Sequence, residues 1–179
     1  MQAIKHRRAS AKTNYGKRVE LLKGRLPRLV VRKSNRNVLI QLVKYEPDGD
    51  KVLASVSSRE LSKFNWLPHS NIPTAYLTGM LLAKKARPMN VGKVVLDTGL
   101  SKPVKFNVLF AAAKGCADNG VELPNSIEFD EARLTGKHVA EYAKGAKGVE
   151  FSAYKKKGVE PAKLDILFND VKKKIESSD

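Results

Sequence analysis

The sequence predicts an α/β domain in three layers, built on a mixed five-stranded sheet, with a basic N-terminal arm and a helical C-terminal extension. Three segments with strand-like alternation come first and are separated by turn signals, which predicts antiparallel hairpins. Two strongly apolar segments of helical length then alternate with two short strands, so the order continues α-β-α-β. Helices that cross between strands of one sheet require parallel pairing and place layers on its faces. With 179 residues, 42% of them hydrophobic, the chain can bury such a core.

Residues 1–24 are predicted to form a basic arm followed by a short helix. Residues 1–12 are polar and basic and carry no apolar stripe, so an extended arm is expected. A helix is favoured from about Thr13, with Lys23 in its last turn. Gly24 is then expected in the left-handed conformation that ends many helices.

Residues 25–123 are predicted to form the core domain, and its three hairpin strands come first. Alternation in the first strand places Leu29 and Val31 on one face and Arg28 and Arg32 on the other. The second strand is apolar on both faces, which indicates a sheet that is covered on both sides. The three strands are residues 28–33, 38–45 and 51–57, and a polar tip at residues 34–37 joins the first two.

The second half of the core alternates helices and strands. Residues 74–86, preceded by Pro73, and residues 103–119 are apolar on nearly all sides, so both helices are expected to be buried against the sheet. Residues 93–97 are predicted as the fourth strand and residues 121–123 as the fifth.

Residues 124–179 are predicted to form a C-terminal extension. Residues 134–144 have the pattern of one short helix, and a spacer rich in glycine and lysine follows. The last helix has a single apolar stripe, which is expected to dock on the domain or on a partner. The stripe consists of Leu164, Leu167, Phe168, Val171 and Ile175.

The positive charge of the chain is concentrated at its N-terminus. Residues 1–36 contain twelve lysines and arginines and one acid, Glu20, whereas the whole chain has a net charge of +16. Such a concentrated positive charge creates a local electrostatic field that attracts polyanions. Nucleic acid is the abundant soluble polyanion. A solvated arm that aids only solubility is the alternative, but solubility does not require charges to be segregated at one end.

Composition argues against several other classes of protein. The single Cys116 excludes an internal disulfide and a zinc site built on several thiolates, and it is expected to be a small buried side chain. The three histidines lack metal-binding spacing, so no metal and no cofactor are predicted. The N-terminal residues lack the apolar core of a signal peptide, and no apolar run is long enough to span a membrane, so a cytoplasmic location is expected.

Two enzyme classes have partial motifs centred on Asp97. Asp97-Thr98-Gly99 after an apolar strand matches the signature of aspartic proteases, but that chemistry needs two carboxylates that share a proton. The predicted element order also resembles the ribonuclease-H-like fold, whose nucleases hold two metal ions with several converging carboxylates. The first strand offers arginines instead and the helix at residues 74–86 has no acid, so a domain of this fold is expected to bind rather than to cleave.

The first strand and its tip have the side chains expected of an RNA-binding surface. Guanidinium groups at alternate positions suit phosphate oxygens, and short polar side chains at the tip can reach sugars or base edges. Tyr15 is a candidate for stacking on a base or, equally, for packing on the core. Gly24 and Pro27 interrupt the basic run, so no recognition helix for the DNA major groove is predicted and RNA is favoured over DNA.

Three segments resemble the archaeal and eukaryotic branch of large-subunit ribosomal protein eighteen, and the archaeal form is the closer in pattern. They are residues 24–35 (GRLPRLVVRKSN), residues 71–79 (NIPTAYLTG) and residues 134–142 (LTGKHVAEY). The resemblance extends from about residue 12 to residue 144. It implies a ribonuclease-H-like fold and a structural role in the large ribosomal subunit. In that role the protein binds 5S rRNA and helps to anchor it to the large-subunit rRNA in the central protuberance.

The resemblance also implies which residues contact RNA. They lie in the basic arm, the start of the first helix, the first strand with its tip, and the loop after Asp97, where free N–H groups ahead of a helix favour an anion. Large-subunit rRNA and neighbouring ribosomal proteins of the central protuberance are the other expected partners, and no catalytic residue is expected. The expected RNA-binding residues are Arg7, Arg8, Lys12, Tyr15, Lys17, Arg18, Arg28, Arg32, Lys33, Ser34, Asn35, Arg36, Asn37, Thr98, Gly99, Ser101 and Lys102.

Overall fold

A computed structural model describes residue 10 and residues 13–145 and 150–178, and it confirms a mixed α/β fold. The open sheet has the order β3-β2-β1-β4. The β1–β2 and β2–β3 pairs are antiparallel, as the predicted hairpins require, and the β1–β4 pair is parallel. The strands are β1 (Arg28–Lys33), β2 (Val38–Glu46), β3 (Gly49–Ser57) and β4 (Val95–Asp97).

The prediction of a fifth strand at residues 121–123 is wrong for the described part of the chain. Only one parallel bridge forms there, between Lys93 and Glu122, with the Val94 N–H donating to the Glu122 carbonyl at 2.9 Å. Gly120 has a φ of 102° and Pro124 has no N–H to donate, so just three residues between them are available for pairing. The sheet therefore ends at β4.

Two buried helices, α2 (Ile72–Ala86) and α3 (Val108–Ala117), pack against each other and against one face of the sheet. The Asn71 side chain caps α2 by accepting the Thr74 N–H at 3.1 Å. The start of α3 was predicted five residues too early. Phe106 has a φ of 57°, outside the helical region, and Asn107 is the residue that caps the helix.

Glycines allow α2 and α3 to approach closely. A Cβ atom added to Gly79 would overlap the carbonyl oxygen of Ala112, and one added to Gly115 would overlap that of Tyr76. Cys116 is fully buried at this contact, where its Sγ donates to the Gly79 carbonyl at 3.3 Å. Burial raises the pKa of this thiol, as expected for a cysteine that packs as a small apolar side chain.

Helix α1 (Tyr15–Lys23) lies on the opposite face of the sheet from α2 and α3, where its side chains meet β3 and the loop after β4. Its N-cap is Asn14, whose side chain accepts the Lys17 N–H at 3.1 Å. The prediction for Gly24 is wrong, since its φ is −73° and the next residue, Arg25, has a φ of 53° instead. Thus the chain turns one residue later than predicted.

The C-terminal extension contains four α-helices in its described residues, and a 3-10 turn at Pro161–Lys163 precedes the last of them. Gly136, with a φ of 79°, divides the predicted single helix in two, and the short helix before Pro161 was not predicted. No helix among the described residues is long and apolar enough to cross a membrane. The helices are α4 (Glu131–Thr135), α5 (Lys137–Gly145), α6 (Ser152–Lys156) and α7 (Leu164–Ser177).

The predicted docking of the last helix is confirmed. The apolar stripe of α7 packs on the core, with Leu164, Phe168, Val171 and Ile175 buried. The Phe168 ring meets Trp66 edge to face, with the ring centroids 6.2 Å apart. These contacts fix the C-terminal helix on the layer formed by α2.

Candidate nucleic-acid interface

A polar cleft of about 300 Å³ lies between α1, β1 and the loop after β4. We call it the α1–β1 cleft. It brings together residues that are far apart in the sequence, and most of its side chains are basic or polar. Eight of the predicted RNA-binding residues line it: Lys17, Arg18, Arg28, Arg32, Lys33, Thr98, Gly99 and Ser101.

The parallel pairing of β1 with β4 places Asp97 between two arginines. Val30 is the register partner of Asp97, so Arg28 and Arg32, two residues to either side of Val30, share the face on which the Asp97 side chain lies. Arg28 Nη1 donates to Asp97 Oδ2 at 3.0 Å, and Arg32 Nη2 donates to Asp97 Oδ1 at 3.0 Å. The carboxylate at the end of β4 is thus held by both arginines.

Asp97 is buried, yet its environment favours the charged form. Burial by itself would raise the pKa of this carboxyl group, but Arg32, the Gly99 N–H at 2.8 Å and Arg28 outweigh that effect and lower the pKa. Arg32 Nη1 also donates to the Asp97 carbonyl at 2.8 Å. The guanidinium of Arg32 is therefore fixed in orientation while 44% of its side chain stays exposed.

Arg28 differs from its predicted placement, because its side chain is only 4% exposed. Its Nη2 donates to Asp50 Oδ2 at 2.6 Å, and its Nη1 donates to Asp97. The same Asp50 oxygen accepts from Arg18 Nη2 of α1 at 2.9 Å. Arg28 thus links β3 to β4 beneath the cleft, and its fork points to two carboxylates rather than to solvent.

Lys17 and Gly99 close the cleft on the side of the loop. Lys17 Nζ donates to Thr98 Oγ1 and to the Gly99 carbonyl, each at 3.2 Å. Gly99 has a φ of 63°, and a Cβ atom there would lie 2.9 Å from Arg32 Cζ. Glycine is favoured here, because it adopts this left-handed conformation without strain and leaves room for the guanidinium.

The tip between β1 and β2 is folded on itself. Ser34 Oγ donates to the Asn37 carbonyl and accepts the Asn37 N–H, both at 3.0 Å. The Ser34 hydroxyl is therefore engaged in the turn. Asn35 and Arg36 are exposed beyond it, adjacent in sequence to Lys33 in the cleft.

The other predicted site residues lie elsewhere. Lys102 is exposed but does not line the cleft, and Tyr15 is half-buried on α1. The helix expected directly after Lys102 begins at Val108 instead, and Asn107 Oδ1 accepts the Leu109 and Phe110 N–H groups of its first turn. Arg7, Arg8 and Lys12 lie outside the described residues.

The sequence analysis did not predict that two acids, Asp50 and Asp97, form ion pairs with the arginines of the cleft. Asp97 was considered only as a catalytic candidate, and Asp50 was given no role. Alternation places Arg28 on one face, but no sequence pattern shows that Asp50 on β3 reaches it over the intervening β2. Among the described residues, no group of three or more His, Cys, Asp or Glu side chains is placed to hold a metal ion.

Comparison with known families decides the class of protein. Residues 1–92, about half of the chain, match the family described as ribosomal large-subunit proteins 60S L5 and 50S L18. The chain belongs to this family. It is therefore a ribosomal protein of the large subunit, from a family associated with rRNA. The match contains α1 and the first three strands, whereas Asp97 and the loop after it lie beyond the matched residues.

Proposed function

We propose that this ribosomal protein binds 5S rRNA through the α1–β1 cleft and helps to anchor it to the large-subunit rRNA in the central protuberance. One observation supports this proposal most directly. The cleft gathers basic side chains from α1 and β1 together with hydroxyl and main-chain groups of the loop after β4. Basic side chains neutralise phosphates, and neutral polar groups reach phosphates and sugar hydroxyls.

The basic residues 1–12 directly precede the cleft in the sequence. Thr13 and Asn14 line the cleft, so residues 1–12, with four lysines and arginines, are covalently attached at its rim. Lys33 and the exposed tip extend the surface on the other side. A strand of RNA can therefore meet positive charge from the cleft to the tip.

The shape of the surface favours binding to structured RNA over insertion of a helix into the major groove of DNA. Helix α1 has nine residues and lies against the sheet rather than standing free to enter a groove. The cleft instead presents cationic side chains that are held in place, which suits the backbone phosphates of a folded RNA. We further propose that the β3-β2-β1-β4 sheet belongs to a ribonuclease-H-like motif. The chain then consists of the arm with its short helix (residues 1–24), the core domain that contains this motif (residues 25–123) and the C-terminal extension (residues 124–179).

The test compares 5S rRNA with a tRNA of similar length in a binding assay with the full-length chain at one salt concentration. We expect the affinity for 5S rRNA to exceed that for tRNA by about tenfold or more, because non-specific phosphate contacts alone serve both RNAs equally. The protein should also sediment with the large subunit. Equal affinity for the two RNAs would contradict recognition of 5S rRNA.

A further inference from the structure

Helix α1 carries two cationic side chains of the cleft but is weakly anchored by apolar contacts. None of its residues is buried, although helices in a folded domain are ordinarily held by an apolar face. Polar contacts from α1 to the core include those of Lys17, which reaches the loop after β4, and of Arg18, which reaches Asp50. These two contacts therefore contribute to holding α1 over the sheet.

Asp50 is the acidic partner in this arrangement. Its Oδ2 atom accepts from Arg18 of α1 at 2.9 Å and from Arg28 of β1 at 2.6 Å, so one carboxylate joins three elements. Two guanidinium groups meet one carboxylate there, and the junction keeps a positive charge. The Asp50 side chain is 24% exposed, which leaves the Arg18 side of the junction open to solvent.

We propose that Asp50 is a positioning residue for RNA binding: its carboxylate holds Arg18, and with it α1, over β1, and so it increases the affinity for RNA although its own charge repels RNA. This inference rests on the proposed function. It reverses the simple expectation for a chain with a net charge of +16, in which removal of any acid near the RNA surface strengthens binding.

Two effects of opposite sign decide the outcome. Loss of the Asp50 charge increases the attraction of phosphates, but this gain is small for a solvent-exposed charge in salt. Loss of the contact frees the long Arg18 side chain and loosens α1, so both must be ordered again when RNA binds. Since several cationic groups depend on the position of α1, we expect the second effect to be larger.

The experiment measures the affinity of the full-length chain for 5S rRNA in the Asp50→Asn variant and in a matched control, Asp48→Asn. Asp48 is exposed in the turn of the same hairpin, and the ion pairs among the described residues do not include it. Both variants gain one unit of positive charge. We expect Asp50→Asn to bind about three- to tenfold more weakly than the wild type, and Asp48→Asn to bind equally or up to about twofold more tightly.

A double variant tests whether Asp50 acts through Arg18. In an Arg18→Gln background the partner is absent, so the further change Asp50→Asn should cost less than about twofold. An unchanged or increased affinity of Asp50→Asn would overturn the inference, and so would an equal loss in the two backgrounds, which would indicate a general effect on folding. If the wild type itself does not bind 5S rRNA, the proposed function fails. That result differs from the two results that would overturn only the inference about Asp50.

Arg18→Gln provides a second route if Asp50→Asn does not fold. This change leaves the Asp50–Arg28 ion pair in place and removes only the link to α1. We expect faster hydrogen exchange of the α1 amides in the free protein, and a larger loss of 5S rRNA affinity than in Lys23→Gln, which removes the same charge from an exposed site on the same helix. Equal losses with unchanged exchange would overturn the inference.

Discussion

Arg28 places a full positive charge beneath the α1–β1 cleft, and the two acids beside it determine whether the fold can keep it there. A buried charge is strongly unfavourable unless it is paired and hydrogen-bonded. Asp97 and Asp50 both accept from Arg28, and Arg32 shares Asp97 with it. The ion pairs beneath the cleft therefore stabilise the fold as well as shaping the cleft.

The buried member of this network should be essential for stability. We expect Asp97→Asn to lower the free energy of unfolding by about 3 kcal/mol, because it removes the buried one of the two carboxylates that compensate the charge of Arg28. Urea denaturation measures this change. Asp48→Asn, at an exposed position, is the control and should stay within about 0.5 kcal/mol of the wild type. A similar small change in both variants would contradict a structural role for the Asp97 ion pairs.

The same ion pairs predict a direction for the effect of pH. The pKa of Asp97 is lowered in the folded state, so the folded protein favours the ionised carboxylate more than the unfolded chain does. Its contribution to stability is present above the unfolded pKa and is lost as the pH falls through the folded pKa. The stability difference between the wild type and Asp97→Asn should therefore be constant from about pH 7 to about pH 5 and shrink below about pH 4. A difference that grows on acidification would contradict this assignment.

At the scale of elements, the contact between α2 and α3 depends on the absence of side chains at Gly79 and Gly115. We expect Gly79→Ala to lower the free energy of unfolding by about 2–3 kcal/mol, because the added methyl group must push α3 away from α2. Gly145→Ala is the control, since a Cβ atom there has no heavy atom within 4 Å. Thermal or urea unfolding measures both variants, and a neutral Gly79→Ala would show that the helices are not closely packed.

The sequence predicted those elements whose signals are local. Apolar patterns located α2, α7 and the three hairpin strands to within a few residues. Burial on one face leaves a periodic apolar pattern, and burial on all sides leaves a continuous apolar run. Errors arose where one residue decides the local conformation. The positive φ of Phe106 moves the start of α3 to Val108, and that of Gly136 divides one predicted helix in two. Neither effect leaves a periodic pattern in the sequence.

The candidate site was predictable only in part, for a similar reason. Arg32 and Lys33 follow from the charge and alternation of β1, and the resemblance added Lys17 and the loop residues. The burial of Arg28 depends on an acid of β3, two strands away in the sheet. Long-range ion pairs of this kind follow from strand order and register, which a single sequence does not specify.

At the scale of the whole molecule, the uneven distribution of charge predicts strong salt dependence. Residues 1–36 carry twelve lysines and arginines against one acid. If about half of them neutralise phosphates, the slope of log affinity against log salt should be about −4 to −5, at about −0.7 to −0.9 for each phosphate. Titration of 5S rRNA at several salt concentrations gives this slope. A slope shallower than about −2 would show that most of these charges remain solvated.

The central claim is that the position of the α1–β1 cleft, and not net charge alone, directs RNA binding. Lys33 lines the cleft, whereas Lys156 lies on α6 in the C-terminal extension, and both side chains are exposed. Replacing either by Ala removes the same charge, so the affinity of the two variants for 5S rRNA at one salt concentration is the most direct test. We expect Lys33→Ala to lose about 1 kcal/mol, or about fivefold in affinity, and Lys156→Ala to lose less than about twofold. Equal losses in the two variants would contradict the claim.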